Sequence, residues 1–126
     1  MIDPVALAQR ATLLVEAGVL ALNASHAANR RKLWHKKVDV DRLDQRSLTN
    51  DVLGQVFGGY WKGMEALNFI REAPFDSSTS YEADAYRGGE CGFALGAEYM
   101  TWAALNDAWR TKFRLIRMSG KKRGRE

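Results

Sequence analysis

The chain of 126 residues contains a single cysteine, Cys91, and two isolated histidines, His26 and His35. One cysteine excludes an internal disulfide, and the histidines form no cluster with the ligand spacing of a zinc site. The lack of disulfides is typical of proteins in a reducing compartment, so we expect this protein to be cytoplasmic. A chain of this length can bury a hydrophobic core without disulfides or a structural metal.

The sequence also has little that would place the chain in a membrane. Its longest apolar run, residues 17–24, follows Glu16 and is interrupted by Asn23, whereas a spanning helix needs about 20 apolar residues. Residues 1–4 lack the basic region of a secretory signal. We therefore expect no membrane contact, and we interpret the apolar run as part of a buried helix.

Residues arranged for catalysis are missing as well. Ser25 and His26 are adjacent, and adjacent residues on a helix do not face each other as a catalytic pair would. No glycine pattern matches a phosphate-binding loop, and Cys91 has little positive charge nearby to activate its thiol. The sequence predicts a protein that is not an enzyme and that uses neither a cofactor nor a metal.

Hydrophobic periodicity predicts an all-α protein, a compact bundle of four to five helices, two long and two or three short. Asp3 is the expected N-cap of the first long helix and Pro4 its first residue, and its pattern extends to about residue 31. The last long helix should end at Gly120. We expect residues 1–119 to form one domain and residues 120–126 a basic flexible tail.

The segments between the long helices are short. The β-branched stretch 38–40 predicts an extended connector, after which Asp41 or Ser47 is a candidate helix cap. A short helix should open at Thr49 or Asn50 and end at a pair of glycines, and a third helix follows directly.

Two further patterns concern these short segments. Within residues 72–96, the stretch 79–82 fits a capping box and predicts one more short helix, to about residue 86. Glycines spaced four residues apart indicate two short helices that approach a neighbour closely. These glycines are Gly54, Gly58, Gly59 and Gly63.

The most specific pattern is a block of 34 residues from Trp34 to Leu67. It contains Trp34, an aspartate-rich Val38-Asp39-Val40-Asp41-Arg42-Leu43-Asp44, and Val52-Leu53-Gly54-Gln55 followed by Phe57, Gly58, Tyr60, Gly63, Ala66 and Leu67. Gly92-Phe93 and a helix with Leu105 and Trp109 follow downstream. Over about the last two-thirds of the chain, this pattern resembles a family of small uncharacterised proteins of actinobacteria and their bacteriophages.

The resemblance implies a source and a fold, and it implies no mechanism. For a phage protein the compartment would be the cytoplasm of the host cell. Asp51 stands where the family's pattern often has a cysteine, so no thiol role carries over to that position. The alanine-rich first helix and the basic tail are not features of the pattern.

Polar residues inside the block have two interpretations. Three clustered aspartates, Asp39, Asp41 and Asp44, offer oxygen ligands for Mg²⁺ or Ca²⁺. Aspartates also serve as helix caps, and we favour that role: Asp41 or Asp44 as a cap, with Asp39 facing a basic residue. Gln55 lies among apolar residues, and we expect its amide to satisfy backbone groups of the connector rather than a ligand.

Tryptophans divide into core residues and candidate partner contacts. Trp102 and Trp109 lie at helical spacing with Leu105, Phe113 and Ile116 and are expected in the core. Trp61 and Trp34 are the candidate contacts for a protein partner, since an exposed indole is a good anchor for an interface.

Charge is distributed unevenly along the chain. Residues 30–37 and 110–126 hold 13 of the 19 basic residues and one of the 15 acidic residues. The C-terminal stretch could neutralise phosphates of a nucleic acid, but it also fits solvated helix ends, where cations favour the helix dipole. We favour the second interpretation, because the acidic remainder would repel a long nucleic acid. The candidate phosphate contacts are Arg114, Arg117, Lys121, Lys122, Arg123 and Arg125.

Taken together, these patterns favour a small cytoplasmic accessory protein of phage origin that binds a host or phage protein. Self-association through the alanine-rich first helix, as a homodimer, is a second expectation. The alternative is a nucleic-acid-associated protein that uses its basic C-terminal helix and tail.

Overall fold

A computed structural model describes residues 3–67, 91–93 and 100–123 of the chain, and the side chains of these residues up to Ser119. The fold is all-α, as predicted, and the described residues contain no strand. The described residues form two long helices and two short ones, and two 3₁₀ turns lie between the first long helix and the first short one. The helices are α1 (Pro4–Ala24), α2 (Val52–Phe57), α3 (Tyr60–Ala66) and α4 (Trp102–Arg123), and the 3₁₀ turns are Trp34–Lys37 and Val40–Arg42.

Helix α1 begins as predicted but ends earlier. Asp3 Oδ1 accepts a hydrogen bond from the Val5 N–H at 3.1 Å, which caps the first turn. The helix ends at Ala24 because Ser25 turns to an extended conformation. The side-chain amide of Asn29 donates to the carbonyl oxygens of Leu22 and Ser25, at 2.9 and 2.7 Å. The prediction of a helix to about residue 31 is therefore wrong, since these bonds satisfy the helix end within a tight turn.

The main core packs α1 and α4 together with buried residues of α2, α3 and the connector. Helix α1 contributes Val15 and Leu22, and α4 contributes Trp109 and Phe113, all of them buried. Trp34 inserts between the two helices, with its ring edge-on to Trp109 at a centroid distance of 6.4 Å and to Phe113 at 5.6 Å. Trp109 is a core residue as predicted, whereas Trp102 is half-buried at the edge of a smaller cluster.

Gly18 of α1 allows a separate segment of the chain to enter this core. A Cβ at position 18 would overlap the carbonyl oxygen of Cys91 and would meet the indole of Trp109 at 3.0 Å. Phe93, two residues after Cys91, stacks on Trp109 with ring centroids 5.7 Å apart. Residues 91–93 therefore lie between α1 and α4, where only glycine at position 18 leaves room.

The connector between the long helices differs from the predicted extended stretch. Val38 and Asp39 are extended, but Val40 already begins a 3₁₀ turn. Asp39, rather than Asp41 or Asp44, caps that turn by accepting from the Asp41 N–H at 3.1 Å. An aspartate side chain bonds readily to the backbone two residues on, which explains the turn.

Asp51 is the N-cap of helix α2, so the helix starts at Val52 and not at the predicted Thr49 or Asn50. Asp51 Oδ1 accepts from the Gly54 N–H at 2.8 Å, so neither Thr49 nor Asn50 has that role, and Ser47 caps no helix. Gly58 ends α2 with a left-handed φ of +88°, as predicted. Helices α2 and α3 pack closely at Gly63, where a Cβ would meet Leu53 at 2.7 Å.

Helix α4 passes through Gly120 and ends at Arg123, so the prediction that Gly120 ends it is wrong. A single glycine costs about 1 kcal/mol inside a helix, which 18 preceding residues of the same helix can absorb. The flexibility of residues 120–126 stays a prediction. The predicted capping box at residues 79–82 lies outside the described residues.

Candidate functional site

The three aspartates of the block do not converge on a common point. Asp39 caps its own turn, and Asp44 Oδ1 accepts from the Arg46 N–H at 3.0 Å and from Asn106 Nδ2 at 3.3 Å. The bond from the Arg46 backbone lowers the pKa of Asp44. Within the described part of the chain, no group of three or more His, Cys, Asp or Glu side chains could hold a metal ion.

Gln55 has the backbone role that the sequence predicts. Its Oε1 accepts from the Asp39 N–H at 2.6 Å, and its Nε2 donates to the carbonyl oxygens of Asp39 and Asn50, at 3.1 and 3.0 Å. The amide thus satisfies both backbone groups of a connector residue 16 positions away. These bonds fix the connector against α2.

Asp51 is an unusual group that sequence reasoning did not single out as a site. Its side chain is fully buried, and its Oδ2 has no hydrogen-bond partner among the described residues. Burial raises the pKa of this carboxyl to about 7, although the bond from the Gly54 N–H acts in the opposite direction. The resemblance marked this position only as the place of a missing cysteine. Because it is enclosed, Asp51 affects stability rather than a surface reaction.

Helix α1 presents an apolar face to solvent. Leu13 is 71% exposed and Leu20 is 69% exposed, while the opposite side of the helix is buried in the core. By length and composition α1 could also cross a membrane, a criterion that core helices of soluble proteins meet as well. The expectation of a buried helix therefore holds for one side only. We call the other side the apolar face of α1, and it consists of Ala6, Leu13, Ala17, Leu20 and Ala24.

The two candidate partner contacts differ in exposure. Trp34 is only 1% exposed, and its Nε1 donates to Asn23 Oδ1 at 2.8 Å. It is a core residue, so its proposed role as a partner contact is wrong: the ring fills the space between α1 and α4. Trp61 is 39% exposed on α3, edge-on to Tyr60 at a centroid distance of 5.0 Å. Of these two candidates, Trp61 is the one whose side chain reaches solvent.

A basic groove lies where α4 passes the connector, which here means residues 38–43. Arg110 Nη2 donates to the carbonyl oxygen of Leu43 at 2.7 Å, and Arg117 Nη2 donates to that of Val38 at 3.1 Å. The groove has a volume of about 540 Å³. We call it the arginine groove, and it is lined by Arg110, Arg114 and Arg117 with Val40, Asp41 and Met118.

The arginine groove brings together two of the six candidate phosphate contacts, Arg114 and Arg117. Sequence reasoning missed Arg110 as a contact, although its spacing of four residues from Arg114 places both on one side of a helix. The other candidates are not placed in the groove: Lys121, Lys122 and Arg123 lie in the last turn of α4, where the structure describes only the backbone, and Arg125 lies outside the described residues.

Comparisons of the chain with protein-family models, with curated proteins and with solved structures find no match.

Proposed function

We propose that this protein is a small accessory protein that acts by binding another protein through the apolar face of α1, without catalysis. The observation that carries this proposal is the exposure of Leu13 and Leu20 on a helix whose opposite side packs into the core. Contiguous exposed apolar residues on a soluble domain are a mark of interaction sites. Burying a leucine side chain contributes about 1.5–3 kcal/mol, so two leucines supply a useful part of a binding free energy.

The shape of this face fits a helix of the partner. Leu13 and Leu20 are seven residues apart, and the face between and beside them consists of alanines. Small side chains let a second helix approach closely, and leucines at a heptad spacing pack into the holes of that helix. We therefore propose a partner that offers an amphipathic helix. The polar flank of the partner helix would lie near Glu16, whose Oε1 forms an ion pair with Lys112 Nζ at 2.7 Å.

A phage origin and a cytoplasmic location are parts of the same proposal. They are supported by the resemblance of residues 34–67 to proteins of actinobacteria and their phages, and by the single cysteine. The partner would then be a host or phage protein. A homodimer formed through the same face, or attachment of α1 to a membrane, are the competing outcomes that an experiment has to separate.

The test uses a double substitution, Leu13→Gln with Leu20→Gln, and the matched control Leu48→Gln. Leu48 is 57% exposed on the connecting loop, so the control removes an exposed leucine away from α1. Immobilised protein would be incubated with lysate of the source cells, and captured proteins would be identified by mass. We expect one partner to bind the wild type and the control equally and to bind the double variant at least about tenfold more weakly.

Three results would contradict this proposal. The first is capture of the same proteins by all variants, which would exclude the apolar face as the contact. The second is a concentration-dependent dimer in light scattering that the double substitution abolishes, which would assign the face to self-association. The third is flotation of the wild type, but not of the double variant, with lipid vesicles, which would assign the face to a membrane.

A further inference from the structure

We propose that the arginine groove binds the phosphodiester backbone of a nucleic acid, at a site separate from the apolar face of α1. Three arginines of α4 lie at positions i, i+4 and i+7 along one wall of the groove. The connector forms the opposite wall, and Gln55 fixes this wall by its bonds to Asp39. The two walls are joined directly by the hydrogen bonds from Arg110 to Leu43 and from Arg117 to Val38.

Two of the arginines are held in place before any ligand binds. Arg110 and Arg117 each donate one N–H to a carbonyl oxygen of the connector. A guanidinium has five N–H donors, so each group keeps donors for a phosphate oxygen. Holding the side chain in this way reduces the entropy lost on binding. Arg110 also lies 4.0 Å from Asp107 Oδ1, an exposed pair that contributes little.

Arg114 is the free member of the set. It lies between Arg110 and Arg117 on α4, it is exposed, and it forms no hydrogen bond or ion pair with any described residue. At a rise of 1.5 Å per residue, the three positions span about 10 Å of the helix axis. Neighbouring phosphates of one strand advance about 3.4 Å along the axis of a duplex, so a stripe of this length is long enough to face more than one phosphate.

The charge of the surroundings favours an anion. Three arginines line the groove against one aspartate, Asp41. The positive potential extends to His35, whose pKa is lowered first by burial and then by the charges of Lys36 and Arg117. Val40 and Met118 are the apolar residues among those that line the groove. The groove offers a row of positive charges and few pockets for side chains. It therefore suits a phosphodiester backbone better than an acidic peptide.

The test compares Arg114→Gln with Arg46→Gln by fluorescence anisotropy, using a labelled 20-residue single-stranded oligonucleotide and the corresponding duplex. Arg46 is the matched control, because its ion pair among the described residues, with Asp44 at 3.7 Å, is exposed. Binding would be measured between about 50 and 200 mM salt, the range in which phosphate contacts lose most affinity. A melting curve would confirm that both variants fold like the wild type.

We expect Arg114→Gln to weaken binding severalfold and to reduce the slope of log K against log salt by about 0.7 to 0.9, the value of one phosphate contact. Arg46→Gln should leave both quantities unchanged. The double substitution on α1, Leu13→Gln with Leu20→Gln, should also bind the oligonucleotide like the wild type. That result would show that oligonucleotide binding does not depend on the apolar face of α1, so the two proposals can fail independently.

Four results would overturn the proposal. They are absence of binding by the wild type at low salt, equal effects of the two arginine substitutions, competition by polyglutamate as strong as by unlabelled oligonucleotide, and competition by millimolar inorganic phosphate. The third would assign the groove to an acidic polypeptide, and the fourth to a small free anion.

Discussion

Gln45 and Trp109 donate to the same acceptor, the carbonyl oxygen of Gly92. The distances are 3.0 Å from Gln45 Nε2 and 2.8 Å from Trp109 Nε1. Gln45 also accepts from the Val52 N–H at 2.9 Å, and its own N–H donates to Asn106 Oδ1 at 2.7 Å. One buried glutamine thus joins the connecting loop, α2, α4 and residues 91–93. Both lone pairs of the Gly92 carbonyl oxygen are used.

We expect Gln45→Leu to destabilise the protein by about 2–4 kcal/mol. The leucine is close in size, but the Val52 N–H loses its partner in a buried position, and an unsatisfied buried group costs more than an average hydrogen bond contributes. Urea unfolding followed by tryptophan fluorescence would give the free energy of unfolding. The control is Gln55→Leu, because Gln55 is only half-buried and water can replace its bonds. An equal loss in both variants would contradict this assignment.

Local signals explain what the sequence predicted correctly. The start of α1 at Asp3 and Pro4 and the end of α2 at Gly58 depend on residues within one turn. The stripe around Trp109 depends on helical spacing alone. Gln55 was placed correctly because an amide among apolar residues needs backbone partners nearby.

Distant contacts explain what was missed. Gln45 has partners 47 and 61 residues away, and nothing in its neighbourhood marks it as buried. Trp34 follows a run of basic residues that indicates solvent, yet the structure buries it against α4. The groove arginines share a helix face that spacing predicts, but the wall opposite them comes from the connector. Sequence periodicity shows which face of one helix is buried, but it does not show which other segment of the chain packs against that face.

Gly18→Ala should destabilise the protein by about 1–3 kcal/mol. A methyl group at position 18 would overlap the carbonyl oxygen of Cys91, so α1 or residues 91–93 would have to shift. The matched control is Gly59→Ala. At Gly59 the backbone φ is 170°, which alanine adopts, and the nearest atom to a new Cβ is 3.8 Å away in Lys62. Thermal unfolding of the two variants checks the prediction, and equal melting temperatures would contradict it.

Replacement of Trp34 and of Trp61 by alanine should lower stability by very different amounts. Trp34→Ala opens a cavity between α1 and α4 and should cost about 3–5 kcal/mol of stability. Trp61→Ala should cost less than about 1.5 kcal/mol, because its side chain is partly in water. Chemical unfolding of both variants measures the difference. A large loss for Trp61→Ala would mean that this side chain, like Trp34, serves the fold and not a partner.

Asp51 should make stability fall as the pH rises from about 4 to 7. The unfolded carboxyl loses its proton near the ordinary aspartate pKa of 3.8, whereas the folded carboxyl keeps its proton up to a pKa of about 7. Between these values the native state binds more protons, so its stability decreases with pH and then levels off above 7. The full difference is on the order of 4 kcal/mol, at 1.36 kcal/mol for each pKa unit.

Asp51→Asn should remove this pH dependence, because an amide keeps one carbonyl oxygen for the Gly54 N–H and cannot ionise. The measurement is the free energy of unfolding of both proteins at intervals from pH 5 to 8. His35 acts in the opposite direction in this window, since its lowered pKa makes stability rise with pH. The difference between wild type and variant cancels the His35 contribution. If that difference stays constant with pH, Asp51 is ionised in the folded protein at pH 5 already, and its second oxygen has a partner.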